Sequence, residues 1–247
     1  MRRLRLVLEY DGTGFCGFQR QPSQPSVQEA LEAKLSTVCG HPVTVVGAGR
    51  TDAGVHALGQ VTHFDTTGRI PVGNVERAVN SLPGMELVVR QAEETFGEFH
   101  ARFSAKGKTY RYRIWNDSVV PPLEHGRAWH VPVPLDLSAV AAEAEAFVGT
   151  HDFASFAANR GKPGEETVRT IASVRLQRTG KCIALEFSGD GFLYKMVRLM
   201  VGALVRRGHG KAAAGEIALR LRAASPTPEA ARLVAPASGL FLVRVRY

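Results

Sequence analysis

Apolar and polar residues alternate from the start of the chain. Leu4-Arg5-Leu6-Val7-Leu8-Glu9-Tyr10 has the period of a strand. A loop rich in Gly, Gln and Pro follows, from Asp11 to Pro25. Ser26 and Glu29 then form a capping box, and Val27, Ala30, Leu31, Leu35 and Val38 recur at helical spacing until Gly40 stops the helix. Val43 to Gly47 is expected as a short apolar strand, Ala48 to Gly54 as a loop and Leu58 to Phe64 as another strand. Val75, Ala78, Val79 and Leu82 mark a short helix that Pro83-Gly84 ends, and Met85 to Gln91 closes the set as a strand. The order β-α-β-β-α-β is that of the ferredoxin-like split βαβ unit.

A longer version of the same order is expected in the second half. Thr109 to Trp115 reads as a strand and Leu135 to Val148 as an Ala-rich helix. Arg169 to Gln177 and Cys182 to Phe187 read as two strands. Phe192 to Arg207 and Gly215 to Arg222 read as helices, and Leu240 to Tyr247 as a last strand of period 2. The fold class expected is therefore α+β: two ferredoxin-like domains with antiparallel sheets flanked by helices, residues 1–103 and 104–247. No residue-level repeat links the halves. Asn159 to Glu166 reads as a loop within the second half.

Charge changes this picture more than composition does. The 247 residues carry a formal net charge of +8. Residues 1–103 hold 10 Lys and Arg against 11 Asp and Glu, and residues 104–247 hold 21 against 12, so the basic excess lies in the second half. Arg outnumbers Lys 24 to 7. Such asymmetry suits either a polyanion such as nucleic acid or a basic surface with no dedicated partner. No apolar run approaches the length that spans a bilayer, and the basic N-terminus leads into a strand and not a signal peptide, so the expected location is cytoplasmic. Cys16, Cys39 and Cys182 form no CxxC pair, and no His spacing suits a metal.

Four segments carry candidate chemistry. Gly47-Ala48-Gly49-Arg50-Thr51-Asp52-Ala53-Gly54-Val55-His56 sets one Arg and one Asp among small residues. Such a loop can present a carboxylate to a substrate, or it can be a structural Asx-turn with Arg50 as a surface charge. Tyr110-Arg111-Tyr112-Arg113, after Lys106 and Lys108, interleaves aromatic and basic residues on a strand. That pattern suits base stacking beside phosphate contacts, and equally a solvated basic face. One tyrosine is expected to face inward and the other outward. Phe99-His100-Ala101-Arg102-Phe103 has the same ambiguity. Arg198 lies in the apolar run of Phe192, Leu193, Met196, Leu199, Met200 and Ala203, where a buried guanidinium needs a carboxylate partner.

Taken together, these segments resemble the TruA family of tRNA pseudouridine synthases. The residues that carry the resemblance are Tyr10 to Phe15, Gly17 to Pro22, Ser26-Val27-Gln28, Gly47 to His56 and Gly59-Gln60-Val61. They continue through Asn80 to Pro83, Phe99 to Phe103, Lys108 to Tyr112, Asp152-Phe153 and Val168 to Ile171. Gly191-Phe192-Leu193, Met196-Val197-Arg198 and Ala235 to Leu240 complete the set. The resemblance implies two ferredoxin-like domains around a basic cleft, a homodimer and a tRNA substrate. It implies uridine-to-pseudouridine isomerisation at three neighbouring positions of the tRNA anticodon stem-loop (38, 39 and 40), with no cofactor and no metal. By motif, Asp52 matches the catalytic aspartate and Arg50 its loop partner. Tyr110 matches the tyrosine near the target base, Arg198 the arginine that pairs with the aspartate, and Leu240 an apolar residue of the base pocket. Lys106, Lys108 and Arg111 are the expected RNA contacts. Phe18 stands where many members have tryptophan. Glu165-Glu166 precede Thr167 where members often carry a basic residue and serine.

Two other classes compete. A non-catalytic RNA-binding protein explains the charge and the fold but not an Arg-Thr-Asp loop. A carboxylate-dependent nuclease needs several acidic residues around a metal, and this loop holds one.

Overall fold

The structure is a computed structural model that describes residues 1–96, 98–158, 166–225 and 233–247. It is a mixed fold of α-helices and multistranded sheet, and it divides into two compact units. The first is Met1–Lys106 with Phe241–Tyr247, and the second is Gly107–Leu240.

The first unit is built on β1, Arg2–Tyr10, whose alternation is strict. Leu4, Leu6, Leu8 and Tyr10 are buried while Arg3, Arg5, Val7 and Glu9 lie half-buried on the opposite face. β1 pairs antiparallel with both β3, His56–Thr66, and β4, Leu87–Thr95. β2, Val46–Gly47, pairs antiparallel with β3. The sheet in this unit thus runs β4-β1-β3, with β2 paired to β3 as well. The end of the chain returns to it, because Phe241 and Leu242 pair in parallel with His56 and Ala57.

Local chemistry sets the helix limits. α1 is Val27–Cys39. The Ser26 hydroxyl accepts the Glu29 N–H at 3.3 Å, and Gly40 ends the helix at φ 73°. α2 is Val72–Asn80, and it lies over β4. At its end the Asn80 side chain both donates to the Val89 carbonyl and accepts its N–H, each at 2.8 Å. The strand expected over Val43 to Gly47 shrinks to β2 because side chains of α1 take its backbone. Ser36 accepts the Val43 N–H and Glu32 the Val45 N–H, at 3.1 and 2.9 Å.

The second unit contains β5, Gly107–Trp115; β6, Trp129–His130; β7, Gly149–Asp152; β8, Val168–Thr179; and β9, Cys182–Gly189. β5 pairs antiparallel with β9, β9 with β8 and β8 with β7, while β6 pairs in parallel with β5. Tyr110, Tyr112, Ile114, Ile183, Leu185 and Phe187 are buried on these strands. Both tyrosines are therefore on one face, which corrects the expectation that they point to opposite sides. Residues two apart on a strand share a face, and Arg111 and Arg113 take the other.

Among the described residues, three α-helices complete the unit. They are α3, Leu137–Ala144; α4, Met196–Gly208; and α5, Glu216–Ala223. A 3-10 turn, Glu145–Phe147, extends α3 in place of the helical residues expected to Val148. α4 starts four residues later than expected. Lys195 sits in the left-handed region at φ 58°, and the Met196 N–H closes a turn on the Leu193 carbonyl. The Glu143 carboxylate accepts the N–H groups of Gly215 and Ile217 at 2.9 Å each, which satisfies donors at the start of α5. Residues 159–165, where the loop to Glu166 was expected, lie outside the described residues.

Candidate active site

Asp52 lies in the loop between β2 and β3. Two glycines let a neighbouring loop, residues 11–18, press against it. A Cβ on Gly12 would stand 2.1 Å from the Val55 carbonyl oxygen. Gly17 has φ 103°, and a Cβ there would stand 2.8 Å from the Thr51 carbonyl oxygen. Only glycine tolerates both approaches. The Phe18 N–H donates to the Thr51 carbonyl at 3.1 Å and the Gly54 N–H to the Phe15 carbonyl at 3.3 Å. The two loops are thereby laced backbone to backbone on both sides of Asp52.

The same loop is tied to the sheet. The Ala48 N–H donates to the Val61 carbonyl at 2.8 Å, and the Gln60 amide donates to the Gly49 carbonyl at 2.9 Å. The Val55 N–H closes a turn on the Asp52 carbonyl at 3.1 Å. Thr51 and Tyr10 share a buried hydroxyl contact of 2.9 Å. Burial pushes the Tyr10 hydroxyl up to about 12, so it stays protonated and keeps its donor. The Asp52 side chain is half-buried and Arg50 is exposed. A carboxylate thus stands on a backbone that has little freedom to move, which is how a reacting group is held in register.

His56 was not assigned a role from the sequence, yet it anchors this region. It is 2% exposed, and its Nδ1 accepts the Gly12 N–H at 3.1 Å, with Asp11 Oδ1 at 3.2 Å. Its ring stacks on Phe241 with centroids 4.6 Å apart. Its position two residues beyond the last small residue of the loop was the available signal.

Tyr110, Arg198 and Leu240 belong to the second unit. Tyr110 on β5 is 8% exposed and meets the Phe192 ring edge-on at 5.0 Å. Leu240, at the start of β10 (Leu240–Arg246), is also buried. Arg198 on α4 is half-buried and not enclosed, and its Nε donates to the Ala235 carbonyl at 2.7 Å. Tyr112 donates its hydroxyl to the Pro236 carbonyl at 2.7 Å, and burial raises it well above the ordinary tyrosine range. The turn from Ala235 to Leu240 is therefore pinned by both side chains.

Of the expected RNA contacts, Lys106 is exposed and Lys108 half-buried. Arg111 is paired across the sheet with Glu186, N to O 3.1 Å. Its charge is in part spent within the fold. Among the described residues, no group of three or more His, Cys, Asp and Glu is arranged to hold a metal ion.

A family model described as tRNA pseudouridine synthase matches residues 6–104 and 143–247. The tRNA pseudouridine synthase A of Acetivibrio thermocellus is 42% identical over 247 residues, and the match covers all of both chains. That of Brevibacillus brevis is 44% identical over 247 residues, again covering all of both chains. That of Limosilactobacillus reuteri is 39% identical over 252 residues, with all of this chain and 97% of the relative covered.

Proposed function

The chain belongs to the tRNA pseudouridine synthase family and isomerises uridine in tRNA. From that premise we propose that Asp52 is its catalytic carboxylate and that its target uridines lie in the anticodon stem-loop. The observation that carries the assignment is the lacing of the Asp52 loop, in which hydrogen bonds from Phe18, Gly54 and Val55 fix the backbone around one half-buried carboxylate.

The reaction explains why a single fixed carboxylate suffices. The target base must first leave the stack, at a cost of roughly a few kcal/mol that phosphate contacts offset. The N-glycosidic bond then breaks with its electron pair left on N1, the uracil turns, and C5 bonds to C1′ while C5 gives up its proton and N1 takes one. Substrate and product are isomers, so no oxidant, reductant or second substrate enters. Asp52 acts at C1′, as nucleophile or as the negative charge beside a cationic sugar. Arg50 serves as its loop partner. Tyr110 stacks on the uracil, Leu240 meets its apolar face, and Arg198 supplies positive charge.

Each unit is read as a ferredoxin-like domain, with the change from first to second near residue 104. The order β4-β1-β3, with β2 paired to β3 and two helices, supports this for the first unit. The β8–β9 hairpin beside β5 supports it for the second. The enzyme is proposed to work as a cytoplasmic homodimer and without a cofactor. The test is tritium release from tRNA transcripts labelled at uridine C5 that lack the anticodon-stem uridines one at a time and all together. Release that disappears when the stem uridines are removed together supports the reading. Undiminished release from the transcript lacking them all moves the target elsewhere in the tRNA.

A further inference from the structure

A second aromatic feature of the first unit lies outside the Asp52 loop. Phe103 is 77% exposed, and most of its ring faces solvent. A single exposed apolar side chain is ordinary on a protein surface. What sets this one apart is how firmly it is displayed.

The turn that carries it is closed on itself and bolted to the sheet. The Ser104 N–H donates to the His100 carbonyl at 2.9 Å, and the His100 N–H donates to the Ser104 hydroxyl at 3.0 Å. His100 Nδ1 accepts the N–H groups of both Arg102 and Phe103, at 3.1 and 3.2 Å. The neutral imidazole therefore carries its proton on Nε2, and its ring cannot turn without losing both bonds. Ala101 is fully buried. Its N–H donates to His63 Nδ1 at 3.1 Å, and its carbonyl accepts the Tyr247 hydroxyl at 2.7 Å. An Arg3 N–H holds the Phe99 carbonyl at 2.8 Å.

On this base the Phe103 ring stacks on His100, centroids 4.3 Å apart and planes 29° apart. The exposed Arg102 sets its guanidinium 5.6 Å from the Phe103 centroid. A rigid aromatic ring open to solvent, backed by an imidazole and flanked by a guanidinium, has the chemistry that takes an unstacked nucleobase and its phosphate. We infer that Phe103, His100 and Arg102 form a stacking platform for an unstacked nucleotide of the bound tRNA, separate from the uridine that is isomerised. This inference rests on the tRNA-modifying reading above. An apolar contact with a second protein chain would need neither the flanking cation nor an aromatic ring.

The test measures binding of a fluorescein-labelled, unmodified tRNA transcript by anisotropy at several salt concentrations, using the full chain. Phe103→Ala and Phe103→Leu should each weaken binding by roughly 5- to 150-fold, the range for one base–aromatic stack, while leaving the salt slope unchanged. Phe103→Trp should bind at least as tightly as the wild type. Arg102→Ala should weaken binding and flatten the salt slope by about one phosphate contact. Wild-type affinity in Phe103→Leu would overturn the platform, because leucine keeps the apolar surface and removes the π face. So would a Phe103→Ala protein that changes mass in light scattering yet binds tRNA normally. Tritium release by the wild type is measured in parallel, so that failure of the platform and failure of the isomerase assignment are told apart.

Discussion

Stability should fall between pH 6.5 and pH 4, and His63 should be the main cause. His63 lies on β3 and is 4% exposed. Burial, then the Arg3 guanidinium and the His100 ring, lower it to about 4 from an ordinary value of about 6.5. Its Nδ1 accepts the Ala101 N–H, a bond that only the unprotonated nitrogen can make. The folded state therefore binds this proton less readily than the unfolded chain. Between the two values the unfolded state holds more protons, so stability rises with pH there and is lost as pH falls. Above about pH 6.5 the group contributes no pH dependence. A gap from about 6.5 to about 4, at about 1.36 kcal/mol for each pH unit, gives an upper bound of roughly 3 kcal/mol. The Arg3 guanidinium, at 2.7 Å, holds Asp65 below the usual carboxylate range, so its contribution is lost mostly below about pH 4, outside this window. Urea denaturation at half-unit steps from pH 7.5 to pH 4 measures the effect. His63→Gln keeps an acceptor for the Ala101 N–H and does not titrate, so its stability should be flatter across the window. An equal loss in wild type and His63→Gln would refute the assignment.

Gly12→Ala should leave a folded protein by circular dichroism but reduce tritium release by at least about tenfold, because its Cβ cannot fit 2.1 Å from the Val55 carbonyl without moving the Asp52 loop. Charge reversal at Lys106 or Lys108 should weaken tRNA binding and flatten its salt dependence, as read by anisotropy against salt. At Arg111 neutralisation to Gln is the cleaner probe, since a reversed charge would face Glu186 across the sheet. Light scattering at micromolar concentration should report twice 26.7 kDa, and a mass near 26.7 kDa itself would contradict the homodimer.

Local signals carried most of the elements. Ser26 and Gly40 bracket α1 in the structure as the capping pattern required, because a cap is a property of a few adjacent residues. The strict alternation of Arg2–Tyr10 likewise marked a strand with one buried face. What escaped depends on distant partners. β6 and β7 are two and four residues long, too short for any period to register. The late start of α4 turns on the left-handed Lys195, which hydrophobic spacing does not reveal. The return of Phe241 and Leu242 to His56 and Ala57 joins residues far apart in the chain. The candidate loop was legible from its small residues around Asp52. Its supports were not, because Tyr10 and Phe18 reach it through tertiary contacts and not through spacing. The tyrosine pair was misread by arithmetic alone, since positions 110 and 112 share a face on any strand.

The role proposed for Asp52 is to perform the chemistry while other residues hold the RNA. Asp52→Asn preserves size and removes the carboxylate. On one preparation, with folding checked by circular dichroism, tritium release and tRNA binding should be measured together. Release should fall by more than about a hundredfold, equivalent to about 2.7 kcal/mol of barrier, with tRNA affinity unchanged or slightly tighter because a negative charge has left a polyanion-binding surface. Activity within about tenfold of the wild type, only about 1.4 kcal/mol, would contradict it. So would a folded mutant that loses binding and activity together, since Asp52 would then be holding the structure or the RNA.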